Sequence, residues 1–198
     1  PLSSLITLQS LGADAFGANC STGPEGMFKI ISKIKSYATV PLVAKPNAGM
    51  PKLLNHQAVY NLKPQDFALA AKKLTSLGVN MIGGCCGTTP EHIACLKAEV
   101  LKVKPILPKI SSLAALSSAR RAFVFTKRNR PVIIGEKINP TGKKDLQQEL
   151  KRSKFGLVRY LAKEQEAQGA DILDINTGVA GRDEKKLMLG VLSLLPIS

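Results

Sequence analysis

Apolar residues along this chain alternate between short unbroken runs and longer stretches in which they recur every three or four positions. The runs read as buried strands, and the periodic stretches read as helices packed on them. Leu2 to Leu11 reads as the end of a helix, stopped by Gly12. Ala13 to Cys20 is the first strand-like run. Pro24 to Lys35 carries Met27, Phe28, Ile30, Ile31 and Ile34 as a helical stripe. Val40 to Ala44 is the second run and ends in Lys45-Pro46-Asn47-Ala48-Gly49. Asn55 to Lys63 reads as a loop. Pro64 to Leu77 predicts a helix with Phe67, Ala70, Ala71, Leu74 and Leu77 inward and Gly78 as its stop. Val79 to Ile82 is the third run. After it, Thr89 caps and Pro90 starts a helix to Lys102, with Ile93, Leu96 and Val100 inward.

The pattern then changes. Pro105 and Pro108 break structure, Ser111 to Ser118 is rich in small residues, and the stretch reads as a linker. A new pattern starts at Arg130-Pro131. Val132 to Gly135 predicts a strand ending in Glu136-Lys137-Ile138-Asn139-Pro140-Thr141-Gly142. A long helical segment follows from Lys144 to Gln168, bent at Gly156. Ala170 to Ile175 is the next strand, ending in Asn176-Thr177-Gly178, and Glu184 to Leu195 is helical. The domains expected are residues 1–103, a linker at 104–130, and residues 131–198. Strands alternating with helices at these lengths predict an α/β fold with parallel strands and crossover helices. In such folds the reactive groups gather at the C-terminal ends of the strands. Cys20, Asn47 and the Cys85-Cys86 pair all fall at such ends.

Composition narrows the picture. The 198 residues are 44% apolar, enough for one domain or parts of two. Lys and Arg number 28 against 14 Asp and Glu, a net charge of +14. Nucleic acid is the first partner such a charge suggests. The distribution argues against it, because the run without acidic residues, Leu101 to Arg130, coincides with the linker and reads as solvated. No apolar run is long enough to span a bilayer, and no secretory signal is visible. Four cysteines, two of them adjacent, do not form a secreted disulfide framework, so a reducing, cytoplasmic setting is expected. The chain enters mid-pattern at Pro1 and stops in a loop, so a fragment of a longer protein is expected.

The cysteines carry the chemistry. Zinc favours tetrahedral thiolate and imidazole ligands, and three protein ligands with one open position mark a reactive site. Cys20, Cys85 and Cys86 are expected to hold one zinc ion, with the fourth position left for a substrate thiol. Glycines flanking the pair let the backbone turn and keep bulk away from the sulfurs. Three thiolates leave a zinc site negative, which keeps a bound thiol nucleophilic and points to alkyl transfer rather than hydrolysis. Adjacent cysteines also occur as redox pairs or as packing residues. Cys95, inside the following helix, reads as a small buried residue. His92 reads as a surface residue or a neighbour of the ligands.

At these residues the chain resembles the homocysteine S-methyltransferase family. Gly83-Gly84-Cys85-Cys86-Gly87-Thr88-Thr89-Pro90-Glu91-His92-Ile93 resembles its C-terminal zinc motif, and Gly17-Ala18-Asn19-Cys20 its upstream cysteine motif. The interval between them, and Lys45-Pro46-Asn47-Ala48-Gly49 within it, resemble the cobalamin-dependent branch. The second half is similar to the pterin-binding domain that follows in that branch. Gly135 to Gly142 resembles its first strand and loop, with Lys137 where an arginine is usual, and Gly169 to Asn176 resembles its second strand.

The resemblance implies parts of two (β/α)8 TIM-type barrels, the C-terminal part of one and the N-terminal part of the next. It implies Cys20, Cys85 and Cys86 as zinc ligands and homocysteine sulfur as the fourth. Asn47 either offers its side-chain oxygen near the vacant position or only turns the loop. Glu136, Asn139, Asp174 and Asn176 are the implied pterin-binding residues. Methylcobalamin is the implied immediate methyl donor, and 5-methyltetrahydrofolate recharges it. No Asp-x-His-x-x-Gly motif occurs, so a separate cobalamin-binding domain or subunit is the expected partner. Alone, such pieces leave apolar faces uncovered, and the chain is expected to fold poorly and not to turn over. Two other readings stand beside this one. One is a homocysteine methyltransferase with a different donor. The other is a structural zinc module in a basic nucleic-acid-binding protein.

Overall fold

The computed structural model describes residues 1–108, 113–125 and 131–195. The chain forms two compact units, Pro1–Phe125 and Thr126–Ser198. The first opens with helix α1 (Leu2–Ser10), strand β1 (Phe16–Asn19), helix α2 (Pro24–Ile34) with a 3-10 turn after it, and strand β2 (Leu42–Lys45). A hairpin follows, β3 (Lys52–Leu54) and β4 (Gln57–Val59). Then come α3 (Pro64–Thr75), β5 (Val79–Ile82) and α4 (Pro90–Val100), and a second hairpin, β6 (Ala115–Ser117) and β7 (Ala122–Val124).

β1, β2 and β5 form one parallel sheet with β2 in the centre. The register pairs Phe16 with Leu42 and Asn19 with Lys45, and on the other side Ala44 with Ile82. All three strands therefore end at the same edge. Gly17 makes the close β1–β2 approach possible, since a Cβ there would lie 2.5 Å from the Val43 carbonyl oxygen. The core beneath the sheet joins Leu5 of α1, Met27, Ile31 and Ile34 of α2, Leu74 of α3, and Leu42, Ala44 and Val79 of the strands. The buried residues of α2 fall at i, i+4 and i+7, the stripe the sequence predicts. Burying each such side chain contributes about 1.5–3 kcal/mol, so the stripe decides which way the helix faces.

Between α3 and α4 the packing differs from expectation. Phe67, Ala68, Ala71 and Leu96 form the buried cluster there, and Ile93 is 43% exposed. His92, expected at the surface or as a neighbour of the ligands, takes the inward place at 6% exposure. The segment after Asn55 is not all loop. Asn55 and His56 both adopt positive φ and make the two-residue turn that joins β3 to β4. The stretch expected as a bare linker contains the β6–β7 hairpin, which rests on α1. Thr7 Oγ1 and Ser117 Oγ are 2.8 Å apart, and the Ser3 hydroxyl donates to the Ser118 carbonyl.

The second unit has β8 (Ile134–Ile138), α5 (Lys144–Lys151), α6 (Gly156–Ala167), β9 (Ile172–Ile175) and α7 (Glu184–Leu194), with β8 and β9 parallel. β8 starts later than the apolar run suggests and continues through Glu136 and Lys137 to the buried Ile138. The expected long helix is two. The chain turns at Ser153, at φ 52°, and the Glu149 carboxylate accepts the Leu157 amide at 2.8 Å to start α6. Ile138, Leu146, Leu150, Val158, Ala162, Leu187 and Val191 form the core of this unit. No helix among the described residues is long and apolar enough to cross a membrane.

Candidate metal centre

The sheet edge where β1, β2 and β5 end is built by backbone bonds that run from loop to loop. Past β1, Cys20 N–H donates to the Lys45 carbonyl at 3.1 Å, which extends the ladder by one residue. Cys20 and Ser21 then turn away at φ 61° and 60°. Two consecutive non-glycine residues in that region cost about 1–3 kcal/mol each, strain of the kind held at functional sites. Past β5, Gly83 N–H donates to the Ala44 carbonyl at 3.1 Å and Cys85 N–H to that of Pro46 at 2.9 Å. Ala48 N–H returns a bond to the Cys86 carbonyl at 2.9 Å. The three loops are thus stitched to one another before any side chain is considered.

The stitching brings the three cysteines together. Cys20 Sγ lies 2.9 Å from Cys85 Sγ and 3.3 Å from Cys86 Sγ, and the adjacent pair is 3.9 Å apart. All are free thiols, Cys20 and Cys85 half-buried and Cys86 exposed. Thiolates tetrahedrally bound to zinc at about 2.3 Å stand about 3.8 Å from one another, so the trio has the scale a zinc ion needs. Three sulfurs also favour zinc over hard cations such as magnesium or calcium. Among the described residues this is the one group of three or more His, Cys, Asp or Glu side chains placed to hold a metal. Cys95 stands apart, half-buried against the Phe67–Leu96 cluster of α3 and α4.

Asn47 is 3% exposed, and its side-chain oxygen accepts the Cys86 amide at 3.2 Å while its own amide donates to Thr22 at 3.0 Å. It therefore ties the Cys86 backbone to the loop that follows Cys20. Sequence reading left His92 as either a surface residue or a neighbour of the ligands, and it missed Tyr60. His92 Nδ1 accepts the Thr89 amide at 3.2 Å in a capping box, which leaves Nε2 to donate to the Leu62 carbonyl at 2.8 Å. Leu62 N–H donates in turn to Ala48 at 3.1 Å, so His92 is linked to the cysteine loops through two backbone bonds. Tyr60, from a stretch expected to be plain loop, packs its ring against Gly87, next to Cys86 in sequence. Desolvation first, then a hydrogen bond to Cys86 and the nearby cysteine sulfurs, hold its phenol above the ordinary value. Its being the one Phe, Tyr or Trp in that stretch was the only signal for it.

A cavity of about 390 Å³ opens elsewhere, lined by Tyr37, Leu42, Leu77, Asn80 and Ile106, where the strands begin. It includes none of the cysteines. In the second unit the candidate pterin residues flank the ends of β8 and β9. Glu136 and Asp174 are exposed on those strands. Asn139 and Asn176 follow them, and each side-chain oxygen accepts a local amide, Thr141 at 3.0 Å and Gly178 at 2.8 Å. Asn176 N–H donates to the Ile138 carbonyl at 2.9 Å, which brings the two strand ends side by side.

Comparison with known proteins bears on both units. The family model described as homocysteine S-methyltransferase matches residues 2–100. Two curated relatives are both described as methionine synthase. That of Mycobacterium tuberculosis (strain ATCC 25618 / H37Rv) is 33% identical over 195 residues, covering 98% of this chain and 16% of its own length. That of Mycobacterium leprae (strain TN) is 33% identical over 205 residues, covering 98% of this chain and 17% of its own. The chain thus spans about a sixth of the length of these relatives.

Proposed function

The chain belongs to the homocysteine S-methyltransferase family, and from that premise we propose that Cys20, Cys85 and Cys86 hold a zinc ion that receives homocysteine through its sulfur. The reaction is transfer of a methyl group to that sulfur, giving methionine. The observation that carries the reading is the convergence of three free thiols from two strand ends within 2.9–3.9 Å. Held there, zinc would supply the charge that lowers the pKa of an incoming thiol, so that it binds as thiolate.

This chain's own residues do the positioning. The Lys45 and Pro46 carbonyls fix the amides of Cys20 and Cys85, and the Asn47 oxygen fixes that of Cys86. With that oxygen already accepting an amide, we assign Asn47 first to orienting Cys86. Any approach of its second lone pair to the fourth position is secondary.

Methylcobalamin, presented by a cobalamin-binding domain or subunit, is the proposed methyl donor, and 5-methyltetrahydrofolate its source. The match to methionine synthases across 98% of the chain supports this over a different donor, because it runs through the second unit as well. Glu136, Asn139, Asp174 and Asn176 are the proposed pterin contacts. Asn139 and Asn176 keep their amide N–H groups as donors, and the two carboxylates are acceptors, a mixture that suits a pterin edge. We read the two units as parts of two (β/α)8 barrels in a cytoplasmic enzyme. The free thiols fit a reducing compartment.

The test is metal content and X-ray absorption on the intact protein, purified under reducing conditions, with and without homocysteine. About one zinc with three sulfur neighbours, rising to four with homocysteine, is the expected result. Four sulfurs unmoved by homocysteine would mean a structural site, and salt-sensitive nucleic-acid binding would then favour the basic zinc module.

A further inference from the structure

In the second unit, β8 carries one residue more than its partner strand. Ile134 and Gly135 pair with Ile172 and Leu173, but Ile138 pairs with Ile175. Between those pairs Glu136 and Lys137 together face Asp174, which is the geometry of a β-bulge. The extra residue decides which way the side chains point. A Cβ on Gly135 would point at Gln165 of α6, and Ile138 is buried in the core formed with α5, α6 and α7. Both therefore face the helices. In a regular strand two residues three apart face opposite ways, so without the bulge Ile138 would turn out of the core. With the bulge, Glu136 follows Gly135 onto the face away from the helices while Ile138 stays buried. Leu173 and Ile175 pack on the same core, which sends Asp174 to that outer face as well. The two exposed carboxylates thus stand on one face of neighbouring strands.

Side chains hold the bulge in place. Lys137 N–H donates to Gln165 Oε1 at 2.7 Å, and the Lys137 carbonyl accepts Lys143 Nζ at 2.7 Å. Both backbone groups of the extra residue are taken up by residues from α6 and from just before α5. Gln165 is itself fixed, at 4% exposure, with its Nε2 donating to the Leu161 carbonyl at 3.2 Å. Gly135 leaves the room it needs, since a Cβ there would lie 2.7 Å from Gln165 Oε1. The Lys137 ammonium meets Glu164 at 3.4 Å on the surface, where such a pair adds little.

We propose that Gln165 is a positioning residue of the pterin site and acts through Glu136. By accepting the Lys137 amide it holds the bulge, keeps Ile138 in the core and sets Glu136 beside Asp174 on the face offered to the pterin. The proposal deepens the pterin reading and rests on it.

The test is binding of 5-methyltetrahydrofolate to the intact protein by equilibrium titration, in a double-mutant cycle of Gln165→Leu with Glu136→Ala. Q165L is expected to weaken binding about tenfold, the effect of leaving one buried amide without its acceptor. Peptides spanning β8 should exchange their amide hydrogens faster in the same variant. Gln165→Glu keeps an acceptor and should stay within about threefold of wild type. In the E136A background Q165L should cost less than about twofold, because the group it positions is gone. A purely structural role would weaken binding by the same factor in both backgrounds, and that result overturns the proposal. Q165L binding as tightly as wild type overturns it too, and leaves the pterin reading standing. If Q165L does not fold, Lys143→Ala, an exposed change that removes the other bond to Lys137, carries the same cycle. It should weaken binding about threefold, an effect that vanishes with E136A; an effect that persists there overturns the proposal. A wild-type protein that binds no 5-methyltetrahydrofolate overturns the pterin reading itself, and the role of Gln165 falls with it.

Discussion

Replacing His92 by alanine tests how the cysteine loops are held, because its ring hydrogen bonds go to the backbone of Thr89 and Leu62 and to none of the cysteines. Its ring is buried at 6% exposure, edge-on to Phe67 with centroids 5.5 Å apart. It accepts the Thr89 amide and donates to the Leu62 carbonyl. Two neutral hydrogen bonds contribute about 1 kcal/mol each, and the ring contact about 1 kcal/mol more. H92A should therefore weaken this corner by about 3 kcal/mol, or roughly a hundredfold in the opening equilibrium at 1.4 kcal/mol per tenfold. The loss should travel along the backbone bonds from Leu62 to Ala48 and on to Cys86.

Hydrogen-exchange mass spectrometry on the intact protein reads this out locally. Peptides carrying Ala48, Leu62 and Cys86 should exchange faster in H92A, and zinc should be taken more readily by a competing chelator. His92→Gln keeps an acceptor for the capping box and should recover about 1 kcal/mol of the loss. Exchange at Ala48 and Cys86 within threefold of wild type in H92A would refute the linkage. It would reduce His92 to an ordinary helix cap.

Four further outcomes are expected of the same protein. Cys85→Ala should lose the bound zinc and all methyl transfer to homocysteine, and transfer at the normal rate would end the thiolate reading. Asn47→Ala leaves the Cys86 amide without its acceptor, which costs about 1–3 kcal/mol; chelator competition should show zinc held at least about tenfold more weakly, while Asn47→Asp, which keeps the acceptor, should be affected less. Gly17→Ala forces a Cβ to within 2.5 Å of the Val43 carbonyl oxygen and should destabilise the first unit by about 1–3 kcal/mol in denaturant unfolding. Glu99 bonds Lys72 at 2.8 Å and Lys102 at 2.9 Å, and these bonds, Lys72 first, hold its carboxyl down at about 2. A depressed carboxylate stabilises the fold above its unfolded value and ceases to do so as pH falls toward its folded one. Stability should thus decline from about pH 4.5 toward pH 2, and Glu99→Gln should flatten that decline in a thermal-melt series.

The parts of the site legible in the sequence were those that sit where an apolar run meets Gly, Pro, Asn or Cys. An unbroken run such as Val79 to Ile82 has one plausible use in a chain of this pattern, so its end is easy to find, and the sulfurs after it are placed with it. Two kinds of feature stayed hidden. The β3–β4 hairpin has no buried residue in either strand, so no alternation marks it, and its turn uses Asn55-His56 without a glycine. The inward side of α4 was assigned to Ile93 because apolar residues usually decide a helical face. A histidine with both ring nitrogens satisfied can be buried as cheaply, and only the positions of Thr89 and Leu62 show that they are. The end of β8 was misjudged for a related reason, since Glu136 and Lys137 are exposed within a strand whose last residue, Ile138, is fully buried.

The hidden hairpin is also what completes the site. The connection from β2 to α3 leaves the sheet at the edge where the cysteines lie, and loops at that edge are where such folds vary their chemistry. Here the chain runs out through β3, turns at Asn55-His56, and comes back through β4 so that Tyr60 and Leu62 land on the cysteine loops. Leu62 joins the backbone ladder that ends at Cys86, and the Tyr60 ring packs against Gly87 beside it. Gly87 and Gly49 give way where the returning strand presses closest, the first under the Tyr60 ring and the second under Leu62 Cβ. Shortening the hairpin at its tip should therefore leave the three sulfurs in place, because their amides bond to Lys45, Pro46 and Asn47. Removing it through Leu62 should loosen the Ala48 loop and α4 together, because Ala48 and His92 would lose their Leu62 partner in the same cut.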